Sequence, residues 1–108
     1  MSVGIMYSKG DIVVINFPFS DLVNSKKRPM VVLAVKGQDI IGCAITSNPD
    51  SDGLPLEEFA EGSLPLRSKI KYGQIHTFIK SLVIKKIARI SKKDHHKLIM
   101  MINELLRP

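Results

Sequence analysis

Apolar positions along most of this chain come in short β-branched blocks or alternate with polar ones, the signature of strands; only the C-terminal stretch repeats at helical spacing. Asp11 to Phe17 (DIVVINF) predicts a first strand, with Val13, Ile15 and Phe17 on one face. Pro18 ends its pairing, because proline has no N–H to give a ladder. Residues 18–28 read as a long polar loop closing on a basic run, and Pro29 opens a second apolar run, Met30 to Val35. The turn Lys36-Gly37-Gln38-Asp39 stops that run, and Ile40 to Thr46 follows as a third strand, so the second and third form a hairpin. Ser47 to Gly53 (SNPDSDG) is turn chemistry and predicts a mobile surface loop.

Beyond it the signal weakens. Leu54 to Phe59, Ser68 to Tyr72 and Ile75 to Ile79 are short strand candidates; Leu82 to Ile90 is a stronger one whose alternation breaks at Lys85 and Lys86, where a bulge fits. Ser91 suits a helix N-cap, with Asp94 as a shortened capping-box acid. Leu98, Met101, Ile102 and Leu105 then share a helical stripe that Ile99 and Leu106 widen. The expectation is a mainly β chain: a compact β-barrel with a C-terminal helix over one opening, a single domain across residues 1–108.

Composition narrows the functions. The formal net charge is +6, which favours polyanionic partners such as nucleic acid or anionic lipid. The cations fall in groups, Lys26-Lys27-Arg28, Arg67/Lys69/Lys71, Lys85/Lys86/Arg89 and Lys92-Lys93, a pattern that equally suits solvated loops and strand edges. With no Trp, aromatic stacking platforms are sparse. A lone cysteine, Cys43, forms no internal disulfide and fits a reducing compartment; set in an apolar strand, it reads as core. No run approaches the roughly 20 apolar residues of a membrane span, so a soluble, cytoplasmic protein is expected. Phosphate-binding loop, dinucleotide fingerprint and zinc spacing are all missing, and His95-His96, being adjacent, diverge on a helix; the expectation is no cofactor and no metal.

The order of several short motifs carries a resemblance. Gly10-Asp11 before the first strand, a polar loop, Arg28-Pro29 leading into an apolar strand, and Ala44-Ile45-Thr46-Ser47 closing the next one resemble the MazF/PemK-like toxins of type II toxin-antitoxin systems. Lys71 to Thr77 (KYGQIHT) is similar to a segment of that family built around a Gln and a Thr, and the terminal helix matches as well. The resemblance implies an SH3-like small barrel of the CcdB/MazF type, a homodimer, a cognate antitoxin as partner, and metal-independent, sequence-specific cleavage of single-stranded RNA that inhibits translation and growth. Several relatives carry an acid just before the matching Gln; here that position is Gly73, whose hydrogen cannot exchange a proton.

Such cleavage drives the ribose 2′-hydroxyl onto its own 3′-phosphate, leaving a 2′,3′-cyclic phosphate and a 5′-hydroxyl. The protein must move two protons and stabilise charge on the phosphorane. The resemblance gives Arg28 a central catalytic part, and its planar fork suits two phosphate oxygens, though its pKa makes it a poor base. Thr46 offers a hydroxyl donor, a role Ser47 could share. His76 is the nearby side chain that exchanges protons near neutrality and could replace the acid missing at Gly73. Lys26, Lys27, Ser47, Lys71 and Gln74 are the expected RNA contacts. The rival readings are a non-catalytic barrel that binds a protein, and a toxin like the gyrase poison CcdB, which shares this architecture.

Overall fold

The structure is a computed structural model, and it describes residues 6–18 and 25–108. Most of the loop anticipated between the first two strands, at 19–24, lies outside the described residues. Seven strands form one antiparallel sheet: β1 (Asp11–Pro18), β2 (Ser25–Lys36), β3 (Asp39–Thr46), β4 (Leu54–Pro55), β5 (Phe59–Gly62), β6 (Lys69–Ile79) and β7 (Val83–Ile90). A short 3-10 turn at Lys80–Leu82 precedes β7, and helix α1 (Lys92–Leu106) ends the chain. The order across the sheet is β4-β6-β3-β2-β1-β7-β5, curled into a half-barrel.

The hairpin read from the pattern is present: Lys36 pairs with Asp39, and Gly37 takes a φ of 60° at the first of two central residues, as a type II′ turn requires. Four other expectations change. β2 begins at Ser25, so the basic run 26–28 belongs to a strand, paired with Phe17, Asn16 and Ile15 of β1. Pro29 fits inside β2 because pairing to β3 starts only at Met30; the missing N–H faces no partner strand. Residues 54–59 do not make one strand but two, β4 beside β6 and β5 beside β7, on opposite edges of the sheet. The two weak candidates at 68–72 and 75–79 fuse into β6, whose pairing with β3 jumps between Cys43–Ile75 and Ile45–Ile70. The bulge anticipated in the last strand is real and double: the register with β1 slips past Ile84 and Ile87, on either side of Lys85-Lys86.

Residues Pro55 and Phe59, on the two edge strands, are four apart, so about 14 Å of extended chain is the most that can separate the edges. The segment 56–58 therefore bridges the open seam of the half-barrel. Helix α1 holds that bridge. Ser91 accepts the N–H of Asp94 at 3.1 Å, as an N-cap should. The Asp94 carboxylate does not turn back onto Ser91, as a capping-box acid would. It is buried and accepts the backbone N–H groups of Glu57 and Glu58, both at 3.3 Å, while Ser91 N–H donates to the Glu58 carbonyl.

Both faces of the central strands are covered, which is why β1 reads as a nearly unbroken apolar run. One cluster joins Ile12, Val31, Cys43, Ile45, Ile70, Ala88 and Ile90 to Leu98 and Ile102 of the helix. The other holds Val13, Ile15 and Phe17, on the one face expected of them, with Met30, Val32, Ile40 and Ala44. The helical stripe is narrower than its spacing suggests: Leu98 and Ile102 are buried, whereas Met101, Leu105, Ile99 and Leu106 are exposed. Burial raises the Cys43 thiol to about 11, so it stays protonated and inert at neutral pH, as its place in an apolar strand implied.

Candidate functional site

Strand register brings the first two candidates together. Met30 of β2 pairs with Ala44 of β3, and both belong to the same buried cluster. Two residues further along each strand come Arg28 and Thr46, which the period of two puts on that same face. Lys26, Lys27, Arg28, Thr46 and Ser47 line one depression of about 330 Å³, closed on its far side by Leu64, Pro65, Leu66 and Ser68. Arg28 is exposed, on the strand face that carries Ile15 and Met30. The Thr46 Oγ1 accepts the N–H of Asn48 at 3.1 Å. With a lone pair used, the hydroxyl keeps its own proton for an acceptor outside the turn.

The loop after Thr46 is tied more firmly than its composition suggests. Asn48 Oδ1 accepts the N–H of Asp50 at 3.0 Å, Ser51 N–H donates to the Asn48 carbonyl, and Lys69 Nζ donates to the carbonyls of Pro49 and Ser51 at 3.0 and 2.9 Å. This pinned loop separates two further depressions. Lys71 and Gln74 line one of about 490 Å³ together with Ser51, Asp52 and Gly73. A Cβ built on Gly73 would meet nothing within 4 Å, so the missing acid leaves open space there. His76 lines neither the depression of Arg28 and Thr46 nor that of Lys71 and Gln74. It is half-buried opposite Gly42, edge-on to Phe17 at 5.5 Å and stacked on Phe78 at 5.7 Å. It shares the sheet face of Arg28 but sits among aromatic rings.

Sequence reasoning gave Asp11 no role beyond its place in the Gly10-Asp11 motif, and the structure explains that pair. Gly10 has a φ of 91°, a conformation L side chains avoid. Asp11, 1% exposed, accepts the N–H of Ser8 at 2.8 Å and the Nε–H of Arg89 at 2.9 Å, with Lys86 Nζ at 3.3 Å. Glu61 of β5 closes the cluster on Lys86 at 2.8 Å and on Arg89 at 3.4 Å. Lys86 and Arg89, counted above with the polyanion-seeking cations, are thus committed to internal carboxylates. Burial raises the Asp11 pKa, but the Ser8 N–H and the Arg89 and Lys86 cations outweigh it and hold the carboxyl below its ordinary 3.8. A depressed folded pKa contributes stability that is full above the unfolded value and lost as pH falls through the folded one. The protein should therefore lose stability as pH drops below about 3.8. Asp11→Asn should be less stable at pH 7 by about 1–3 kcal/mol and show a flatter profile in that acid window, in urea titrations at stepped pH. Equal acid slopes for the two proteins would remove Asp11 from this role.

Among the described residues, no group of three or more His, Cys, Asp or Glu side chains is placed to hold a metal ion, and no helix is long and apolar enough to cross a membrane.

A small curled sheet with a C-terminal helix, a basic depression at the ends of β2 and β3, and a motif-bound N-terminal turn define a class, and comparison with known proteins supplies it. Solved structures that match include MazF toxins. A MazE–MazF structure from Deinococcus radiodurans superposes with a TM-score of 0.77 at 14% identity, covering 95% of this chain and 97% of that one. The Mycobacterium tuberculosis toxin MazF-mt6 gives 0.68 at 14% identity over 87% and 93%. A mycobacterial endoribonuclease in complex with its cognate antitoxin gives 0.68 at 11% identity over 95% and 100%. Comparison with curated protein sequences finds no significant match. Residues 8–106 match the PemK-like, MazF-like toxins of type II toxin-antitoxin systems, and the chain belongs to that family.

Proposed function

We propose that this toxin is a metal-independent endoribonuclease that cuts single-stranded RNA, with Arg28 and Thr46 as its catalytic pair. The observation that carries the reading is the shared depression at the ends of β2 and β3, where a cation with a planar fork and an oriented hydroxyl stand among further cations. Arg28 neutralises charge on the phosphorane as the 2′-hydroxyl attacks and can hand a proton to the departing 5′-oxygen. Thr46 donates to a non-bridging oxygen, with Ser47 beside it. Lys71 and Gln74 extend the RNA path past the pinned loop. His76 remains the candidate base, since the site offers no acid at Gly73.

The assembly that suits this reading is a homodimer in the cytoplasm, its RNA groove on or beside the interface, held silent by a cognate antitoxin. A 108-residue barrel offers shallow depressions alone, and two protomers side by side deepen them. Matched structures with antitoxin bound support the partner.

The test is incubation with RNA in EDTA and mapping of the ends. Cleavage should persist and leave 5′-hydroxyls; strict dependence on added magnesium would overturn the mechanism. RNA affinity should also fall with salt as phosphate contacts release counterions. Lys26→Ala/Lys27→Ala should lower the log–log salt slope by about 1–2. An unchanged slope in binding titrations would take both lysines off the RNA path.

A further inference from the structure

The depression holding Arg28 and Thr46 continues into a larger one of about 860 Å³, the two sharing Thr46, Ser47, Leu66 and Ser68. Its chemistry differs. Pro49, Pro55, Leu56 and Leu66 give it apolar walls, and Leu66 is 65% exposed at the join. Of the two cations lining it, Lys69 already spends two of its donors on the loop carbonyls of Pro49 and Ser51, and Arg67 adds an exposed guanidinium plane. Apolar walls beside a guanidinium plane suit a flat, partly apolar ring.

Two side chains can read such a ring. Asn48, on the lining, accepts the N–H of Asp50 through Oδ1, which fixes the amide and leaves its NH₂ as the donor end. Glu57 has its backbone N–H fixed by the buried Asp94, which anchors it on the depression's wall while its side chain stays exposed. A carboxylate only accepts hydrogen bonds at neutral pH, so it favours a partner with an N–H₂ edge over uracil, whose single N3–H lies between two carbonyl oxygens that repel the carboxylate.

We propose that this second depression is a nucleobase subsite, seating the base next to the scissile phosphate, and that Glu57 and Asn48 select a base bearing an exocyclic amine over uracil. The inference rests on the RNA-cleaving reading above and adds a specificity to it. Leu66 supplies the apolar face under the ring, Asn48 donates to a ring nitrogen or carbonyl, and Glu57 accepts from the amine.

The experiment is cleavage of a randomised single-stranded RNA pool by the full chain, with sequencing of the cut ends. At one position flanking the cut, adenine, cytosine or guanine should be favoured over uracil by roughly tenfold, the scale of one partly exposed hydrogen bond to a charged group. Glu57→Gln, whose amide both donates and accepts, should erase that preference at that position and leave preferences elsewhere in place. Leu66→Ser should raise KM several-fold with the preference retained. Circular dichroism confirms that both variants are folded. Wild-type cleavage with no amine preference next to the cut, or a preference that survives Glu57→Gln, overturns the subsite while the nuclease reading stands. A pool left intact by the wild-type protein overturns both.

Discussion

Arg28→Ala is expected to remove most RNA cleavage and leave the fold intact. Arg28 is exposed on β2, so its loss should cost little stability, within the roughly 0.5 kcal/mol usual for surface substitutions. The catalytic loss should be far larger. Charge that develops on the phosphorane exists only in the transition state, and a preorganised donor aimed at it is typically worth on the order of 10²–10³ in rate, roughly 3–4 kcal/mol. Arg28→Lys should restore part of this, because a point charge lacks the paired donors of the guanidinium fork. Thr46→Ala should reduce the rate less, a neutral hydrogen bond being weaker than a charge-assisted one, although it also removes the acceptor of the Asn48 N–H. Single-turnover cleavage measures the chemistry and thermal melting the fold. A folded Arg28→Ala protein that cuts RNA at near-normal rate would dismiss the assignment, and a protein-binding barrel would become the better reading.

The largest stability effect should come from Leu98→Ala. Leu98 is fully buried between the helix and the sheet cluster of Ile12, Val31, Cys43 and Ile70. Truncation there loses the transfer energy of the removed carbons and leaves a cavity, about 2–5 kcal/mol together. A domain of this size is commonly stable by about 5–15 kcal/mol, so that is a sizeable share. Leu105→Ala, further along the same stripe but exposed, should cost the isolated chain under about 1 kcal/mol. Urea titration of both variants decides it. Equal costs would mean that the helix does not dock through Leu98.

These contrasts mark how far local pattern reaches. The β2–β3 hairpin, the Ser91 cap, the shared face of Val13, Ile15 and Phe17, and the buried thiol of Cys43 were all legible, because each depends on neighbours in sequence. The division of residues 54–59 between two sheet edges was not, since pairing partners at β6 and β7 leave no trace in a short stretch. Nor was the fate of Lys86 and Arg89, whose carboxylate partner Asp11 lies some eighty residues away in the chain, 78 for Arg89. In the candidate site, Arg28 and Thr46 drew attention through family resemblance, and strand register supplies the physical reason they meet. Asn48, Glu57 and Leu66 carried no signal: a lone Asn in a turn, an acid in a weak strand and an exposed Leu are each commonplace until the fold assembles them. His76 had a clear chemical signal, and the structure surrounds it with Phe17 and Phe78.

The three-residue bridge at Leu56–Glu58 gives the barrel a fixed gauge. Elsewhere the sheet could widen or tighten by sliding its ladders, but at the seam its girth is measured out in covalent bonds and locked by Asp94. Insertions at the Gly37-Gln38 turn extend harmlessly into solvent, whereas one added residue in the bridge would slacken the whole circumference. Because Glu57 hangs from that bridge, the same slackening would shift a wall of the second depression. The helix thus acts as a buckle, and the width of the surface offered to a ligand is set at the far end of the chain from the strands that carry Arg28 and Thr46.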